Sequence, residues 1–138
     1  MRKNLIDAGP LVAYFLGGEK NHAWAVALFE RHGWFHTCEA VMAEACARLA
    51  YAGDRPAKVL RLVEAGVLKV DFHTSPAASR IARLMEKYSD LPMDFADACL
   101  VVMAEDHRAT TIYTLDESDF SVYRRNGREV VPFESPPT

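Results

Sequence analysis

The sequence predicts an α/β fold, a sandwich of helices around a mainly parallel sheet. Short runs with strand character alternate with longer helical segments along the chain. Helical crossovers, which parallel pairing requires, are present in number. The composition is that of an ordinary globular protein, 50% hydrophobic and 25% charged. One domain spanning residues 1–138 is expected, long enough to bury most of the surface an unfolded chain exposes.

The elements follow in order. A strand is expected at about Lys3 to Ile6, after which Asp7-Ala8-Gly9-Pro10 turns into a helix ending near Gly17-Gly18. Asn21 is placed to cap a second helix running to Arg31, with Gly33 as its stop. Trp34-Phe35-His36-Thr37 reads as a strand, and a third helix spans about Cys38 to Ala52 before Gly53. Asp54 reads as the cap of a fourth helix, with Pro56 in its first turn and Gly66 at its end. Val67 to Phe72 alternates like a strand, and Ser75-Pro76 starts a helix reaching Tyr88. Leu91-Pro92 opens the next helix, which carries Asp94 and Asp97 and ends near His107. The last strands are expected at about Thr111 to Thr114 and Val130 to Phe133, separated by the turn-rich Asp116-Glu117-Ser118-Asp119. Ser135-Pro136-Pro137-Thr138 reads as a flexible tail, and there is no internal repeat.

Four acidic residues stand where such a fold least tolerates them. Asp7 closes the apolar run Leu5-Ile6, and Asp116 follows the strand ending at Thr114. Glu44 and Asp97 lie inside helical patterns made mostly of Ala, Val, Leu, Met and Cys. A carboxylate in such surroundings costs several kcal/mol unless it is paired or binds a metal. Simpler roles exist for most of them. Asp7 suits a cap of its turn, and Glu44 precedes Arg48 by four residues, the favourable spacing for a surface pair. Asp94 suits a helix start, and Asp116 or Asp119 suits the cap of a short turn. Asp97 resists such a reading, because its neighbours one turn away are Met93, Asp94, Leu100 and Val101, with no cation among them. Asp7 and Asp116 both fall at strand ends, the edge where parallel sheets place their sites. Several hard oxygen donors suit Mg²⁺ or Mn²⁺ rather than zinc, and the matching chemistry is phosphodiester hydrolysis.

Other features narrow the field. A formal net charge of −3 argues against holding nucleic acid by bulk positive charge, while leaving room for a local basic rim. Cys38, Cys46 and Cys99 have no metal-ligand spacing and sit in apolar helical contexts, as expected of reduced thiols in a cytoplasmic protein. The five histidines are scattered. Asp7 and Pro10 interrupt the N-terminal apolar run, against a signal peptide. No apolar stretch approaches the ~18 residues of a membrane span. The GxSxG, HExxH and GxxxxGK[ST] patterns are absent.

Four segments carry a resemblance when taken together: Leu5-Ile6-Asp7-Ala8-Gly9-Pro10-Leu11-Val12-Ala13, Val41-Met42-Ala43-Glu44-Ala45, Met93-Asp94-Phe95-Ala96-Asp97-Ala98-Cys99-Leu100, and Thr114-Leu115-Asp116-Glu117-Ser118-Asp119-Phe120 with Tyr123-Arg124. In order and separation they resemble the PIN-domain nucleases, most closely the VapC-type toxins of prokaryotic toxin–antitoxin pairs. The resemblance implies a three-layer α/β/α sandwich in which Asp7, Glu44, Asp97 and Asp116 bind one or two Mg²⁺ or Mn²⁺ ions. It makes Thr114 a hydroxyl that helps order metal or water, with Asp94 and Asp119 as supporting acids. Arg48, Arg124 and Arg125 are candidates by position for contacts with substrate phosphates. The implied activity is endonucleolytic cleavage of RNA to a 5′-phosphate and a 3′-hydroxyl. The implied partners are a second copy in a homodimer and a small antitoxin lying across the groove.

Three alternatives stand beside this reading. A PIN-fold nuclease of RNA processing, outside toxin–antitoxin systems, would carry the same acids. A non-catalytic PIN-like module would bind RNA or protein without cutting. The haloacid-dehalogenase-like phosphatases also place an Asp after the first strand, but need a second Asp two residues on, where this chain has Gly9.

Overall fold

The computed structural model describes residues 1–138. Five strands form the central sheet: β1 (Lys3–Ile6), β2 (Phe35–Thr37), β3 (Leu68–Val70), β4 (Thr110–Tyr113) and, at the far edge, Phe133–Glu134. Their order is β3, β2, β1, β4 and then the edge strand, with every neighbouring pair parallel. Leu5 lies opposite His36 on one side and Ile112 on the other. Seven helices flank the sheet: α1 (Ala8–Phe15), α2 (His22–His32), α3 (Glu39–Tyr51), α4 (Ala57–Glu64), α5 (Thr74–Lys87), α6 (Phe95–Asp106) and α7 (Glu117–Val122). This is the expected three-layer α/β/α sandwich.

Strand order explains where a site can form. From β1 the chain progresses outward through β2 to β3, then returns across the sheet to β4 on the other side of β1. Right-handed crossovers send the connections of the outward progression and those of the return to opposite faces of the sheet. The connections leaving β1 and β4 therefore diverge to opposite faces, and a crevice opens between the carboxyl ends of those strands.

The core supports both strands closely. Leu5, Ile6 and Ile112 are wholly buried, and every residue of α6 from Ala96 through Ala104 is buried, Asp97 among them. That helix is apolar all round because sheet, α3 and α5 surround it.

The structure corrects four local expectations. Asp94 does not lie within the helix of Asp97; it is the N-cap, its carboxylate accepting the Asp97 N–H at 2.8 Å, and α6 begins at Phe95. The segment after Asp116 is not merely turn-rich. Asp116 caps the short helix α7 by accepting the Asp119 N–H at 3.2 Å, and the wholly buried Phe120 anchors it. The strand expected over Val130 to Phe133 is split at Pro132, which has no N–H to donate. Before it, β6 (Glu129–Val130) pairs antiparallel with β5 (Arg124–Arg125), joined by a turn in which Asn126 and Gly127 have φ of 52° and 84°. After it, Phe133–Glu134, which becomes β7, enters the main sheet. Asp54 caps nothing directly: α4 starts at Ala57, and Asp54 pairs with Lys58 at 2.7 Å. In the C-terminal segment, Ser135 donates its hydroxyl to the Thr114 carbonyl at 2.8 Å.

Candidate active site

Each acid reaches the crevice by a separate local device. Asp7 ends β1 and caps α1, with one carboxylate oxygen accepting the Ala8 N–H at 2.8 Å. Its other oxygen accepts the Thr114 hydroxyl at 2.8 Å, and that hydroxyl accepts the Asp116 N–H at 3.0 Å. One threonine thus ties the ends of β1 and β4 to the start of α7. Asp97 projects from the first turn of α6, and Asp116 and Asp119 come from the cap and first turn of α7. Glu44 projects from α3 and pairs with Arg48 at 3.5 Å.

Together these residues line one cavity of about 320 Å³, bounded by Asp7, Gly9, Glu44, Arg48, Asp94, Asp97, Thr114, Asp116 and Asp119 with Pro92 and Leu115. Six are carboxylates and Arg48 is the single cation. Asp97, Asp116 and Asp119 each offer a carboxylate oxygen within 4.8 Å of the others. Asp7 and Glu44 line the same cavity outside that tight cluster. Asp119, expected in a supporting place, therefore stands among the closest acids.

Two of the three arginines expected to meet phosphates do not line the cavity. Arg125 is 7% exposed and donates to the Ala104 carbonyl at the end of α6, so its guanidinium is a structural group inside the fold. Arg124 donates to the Ser121, Val122 and Tyr123 carbonyls, closing the end of α7. Arg48 alone of the three lines the cavity.

Two contributors carried no role in the sequence. Tyr123 is wholly buried and donates its hydroxyl to Asp97 at 2.9 Å. A lone tyrosine after an acidic segment gives no sign of such a bond. Gly9 admits Leu115 so closely that a Cβ there would lie 2.9 Å from the leucine Cγ. The rarity of glycine in a first helical turn was the available signal.

A family model described as PIN domain matches residues 5–126, a span that includes every carboxylate of the cavity. The chain belongs to the PIN-domain family. Ribonuclease VapC26 of Mycobacterium tuberculosis (strain ATCC 25618 / H37Rv) is 32% identical to it over 129 residues, covering 89% of this chain and 93% of the relative. The resemblance to VapC-type PIN nucleases read from the motifs thus holds over nearly the whole chain.

Electrostatics in this PIN domain are those of six crowded acids with Arg48 as their one cation. Burial pushes the Asp97 carboxyl up to about 8, and the charges of Asp7 and Asp94 push the same way against the Tyr123 hydrogen bond. Burial raises Asp7 to about 6, opposed by its bonds from Thr114 and Ala8. Glu44 is raised by burial and by Asp94, with Arg48 opposing. Asp119 is raised by burial and by Asp116. Tyr123 is held protonated by burial and by the Asp97 charge, which keeps it a donor. A cation reverses this logic, favouring the ionised form of every carboxylate around it. The lining contains hard oxygen donors and no His or Cys, which fits Mg²⁺ or Mn²⁺.

Proposed function

We propose that this PIN-domain protein is a Mg²⁺- or Mn²⁺-dependent endoribonuclease and the toxin of a toxin–antitoxin pair, acting in the cytoplasm. The observation that carries the reading is the convergence of carboxylates from β1, α3, α6 and α7 on one cavity at the sheet's carboxyl edge. The name and extent of the VapC relative support the RNA substrate and the antitoxin.

In this reading Asp7, Glu44, Asp97 and Asp116 hold the ion or ions, and Asp119 joins them from α7. A divalent cation supplies activation of water toward a phosphodiester and stabilisation of the departing oxygen. The chain's own groups do the positioning. Thr114 fixes the Asp7 carboxylate and the Asp116 backbone together. Asp94 secures the helix end that presents Asp97. Arg48, half-exposed beside Glu44, is placed to meet a phosphate at the cavity mouth. The negative lining repels RNA until cation charge is present, so metal and substrate bind cooperatively. Single-stranded or looped RNA fits best, because an A-form duplex hides its base edges.

The test is incubation of a mixed single-stranded RNA pool with the protein in Mn²⁺, Mg²⁺ or EDTA. The expected products carry 5′-phosphates, appear with either metal and vanish in EDTA. Cleavage that persists in EDTA, or RNA binding without cleavage across a broad pool that includes structured cellular RNAs, contradicts the reading. The homodimer is tested by sedimentation and the antitoxin by co-purification with a neighbouring small protein.

A further inference from the structure

Tyr123 lies outside the carboxylate set yet is bonded to one of its members. Its backbone N–H closes α7 on the Asp119 carbonyl at 3.2 Å, and its hydroxyl crosses to Asp97 Oδ2 on α6 at 2.9 Å. Its ring is wholly buried and clamped edge-on between Tyr88 and Phe120, with centroids 5.2 and 5.1 Å away. Tyr88 is itself fixed, its hydroxyl accepting the Arg124 N–H at 2.9 Å. The final torsion of an aspartate is soft and settles on whatever partner holds it. A phenol packed on both sides therefore sets the orientation of the Asp97 carboxylate. The same bond spans α6 and α7, the two helices that supply the closest acids.

We propose that Tyr123 is a positioning residue of the site, a rigid strut that orients Asp97 and holds α7 at the distance which groups Asp97, Asp116 and Asp119. The inference rests on reading those carboxylates as a cation site. Partners that orient a metal-ligating side chain commonly change affinity by 10- to 100-fold when lost. A tyrosine that merely fills the core would affect folding and leave cation affinity alone. Tyr123→Phe separates the two roles, since it keeps the ring and deletes one oxygen.

The experiment is a calorimetric titration of Mn²⁺ into metal-free wild type, Tyr123→Phe, Asp97→Asn and the double variant, each first shown to be folded by circular dichroism. Tyr123→Phe is expected to weaken Mn²⁺ about 10-fold in the wild-type background and to have no further effect beside Asp97→Asn. Its RNA cleavage is expected to recover as Mn²⁺ is raised, with KM for RNA unchanged. A change below twofold, or an equal loss in both backgrounds, overturns the role of Tyr123 while the cation site stands. Wild type that neither binds Mn²⁺ nor cuts RNA overturns the cation reading itself, and the strut with it.

Discussion

Asp97 is the side chain on which the proposed chemistry most depends. It is 7% exposed in the otherwise apolar buried stretch of α6, and its charge is opposed by Asp7 and Asp94. Its oddity was visible in the sequence, because an aspartate among alanines, leucines and valines with no cation one turn away lacks a structural explanation. Arg125 misled for the opposite reason. A charged residue in a polar segment looks solvated, and only the fold shows its guanidinium turned onto Ala104. In metal-free protein the proton on Asp97 is bound more tightly folded than unfolded, since its value rises from 3.8 to about 8. The stability linked to that proton is full below about pH 4 and is lost as pH rises through 8. Asp97→Asn removes the dependence. In EDTA the variant is expected to melt above wild type at pH 9, with the difference shrinking steadily toward pH 4. Thermal melts across that range check it, and a constant difference contradicts it.

At the scale of elements, loop and helix ends build most of the site, with Glu44 and Arg48 added from the body of α3. Asp7, Asp94 and Asp116 are all N-caps, each accepting a backbone N–H beside the cavity. The bland readings of Asp7 and Asp116 as caps were therefore correct as far as they went, and all three residues line the cavity as well. Longer strands and helices were legible from their periodicity. Helix α7 and the β5–β6 hairpin were not, because six residues and two pairs of residues are too short to show a period. Thr114→Val tests the link between β1, β4 and α7. It leaves an Asp7 oxygen and the Asp116 N–H without their partner, so a loss of about 1–3 kcal/mol is expected by urea denaturation. Gly9→Ala drives a methyl into Leu115, between Thr114 and Asp116. Cleavage is expected to fall at least about 10-fold while denaturation shifts by no more than roughly 1–3 kcal/mol. Unchanged cleavage would show that Leu115 yields without disturbing its neighbours.

Across the whole molecule, topology decides where the acids meet. The return from β3 to β4 makes a crevice beside β1, and the chain places acids at both of its strand ends. A strand-end aspartate is readable from sequence. The meeting of β1 with β4, separated by more than a hundred residues, follows from crossover direction and becomes certain only in the fold. No helix is long and apolar enough to cross a membrane. Folding gathers six carboxylates around one cavity, and on the proposed reading a divalent cation bound there adds to stability by mass action. The melting temperature of wild type is expected to rise with Mn²⁺ and to do so more at pH 8 than at pH 5, where protons compete for Asp97 and Asp7. A rise that is larger at pH 5 would contradict that competition.

The most direct measurement of the central claim is a Mn²⁺ titration of metal-free wild type and Asp97→Asn at pH 7.5, followed by calorimetry in two buffers of different protonation enthalpy. Wild type is predicted to bind one or two ions with release of protons, and the variant at least about 100-fold more weakly with less release. Equal binding by the two proteins would contradict the claim that these converging carboxylates form a cation site.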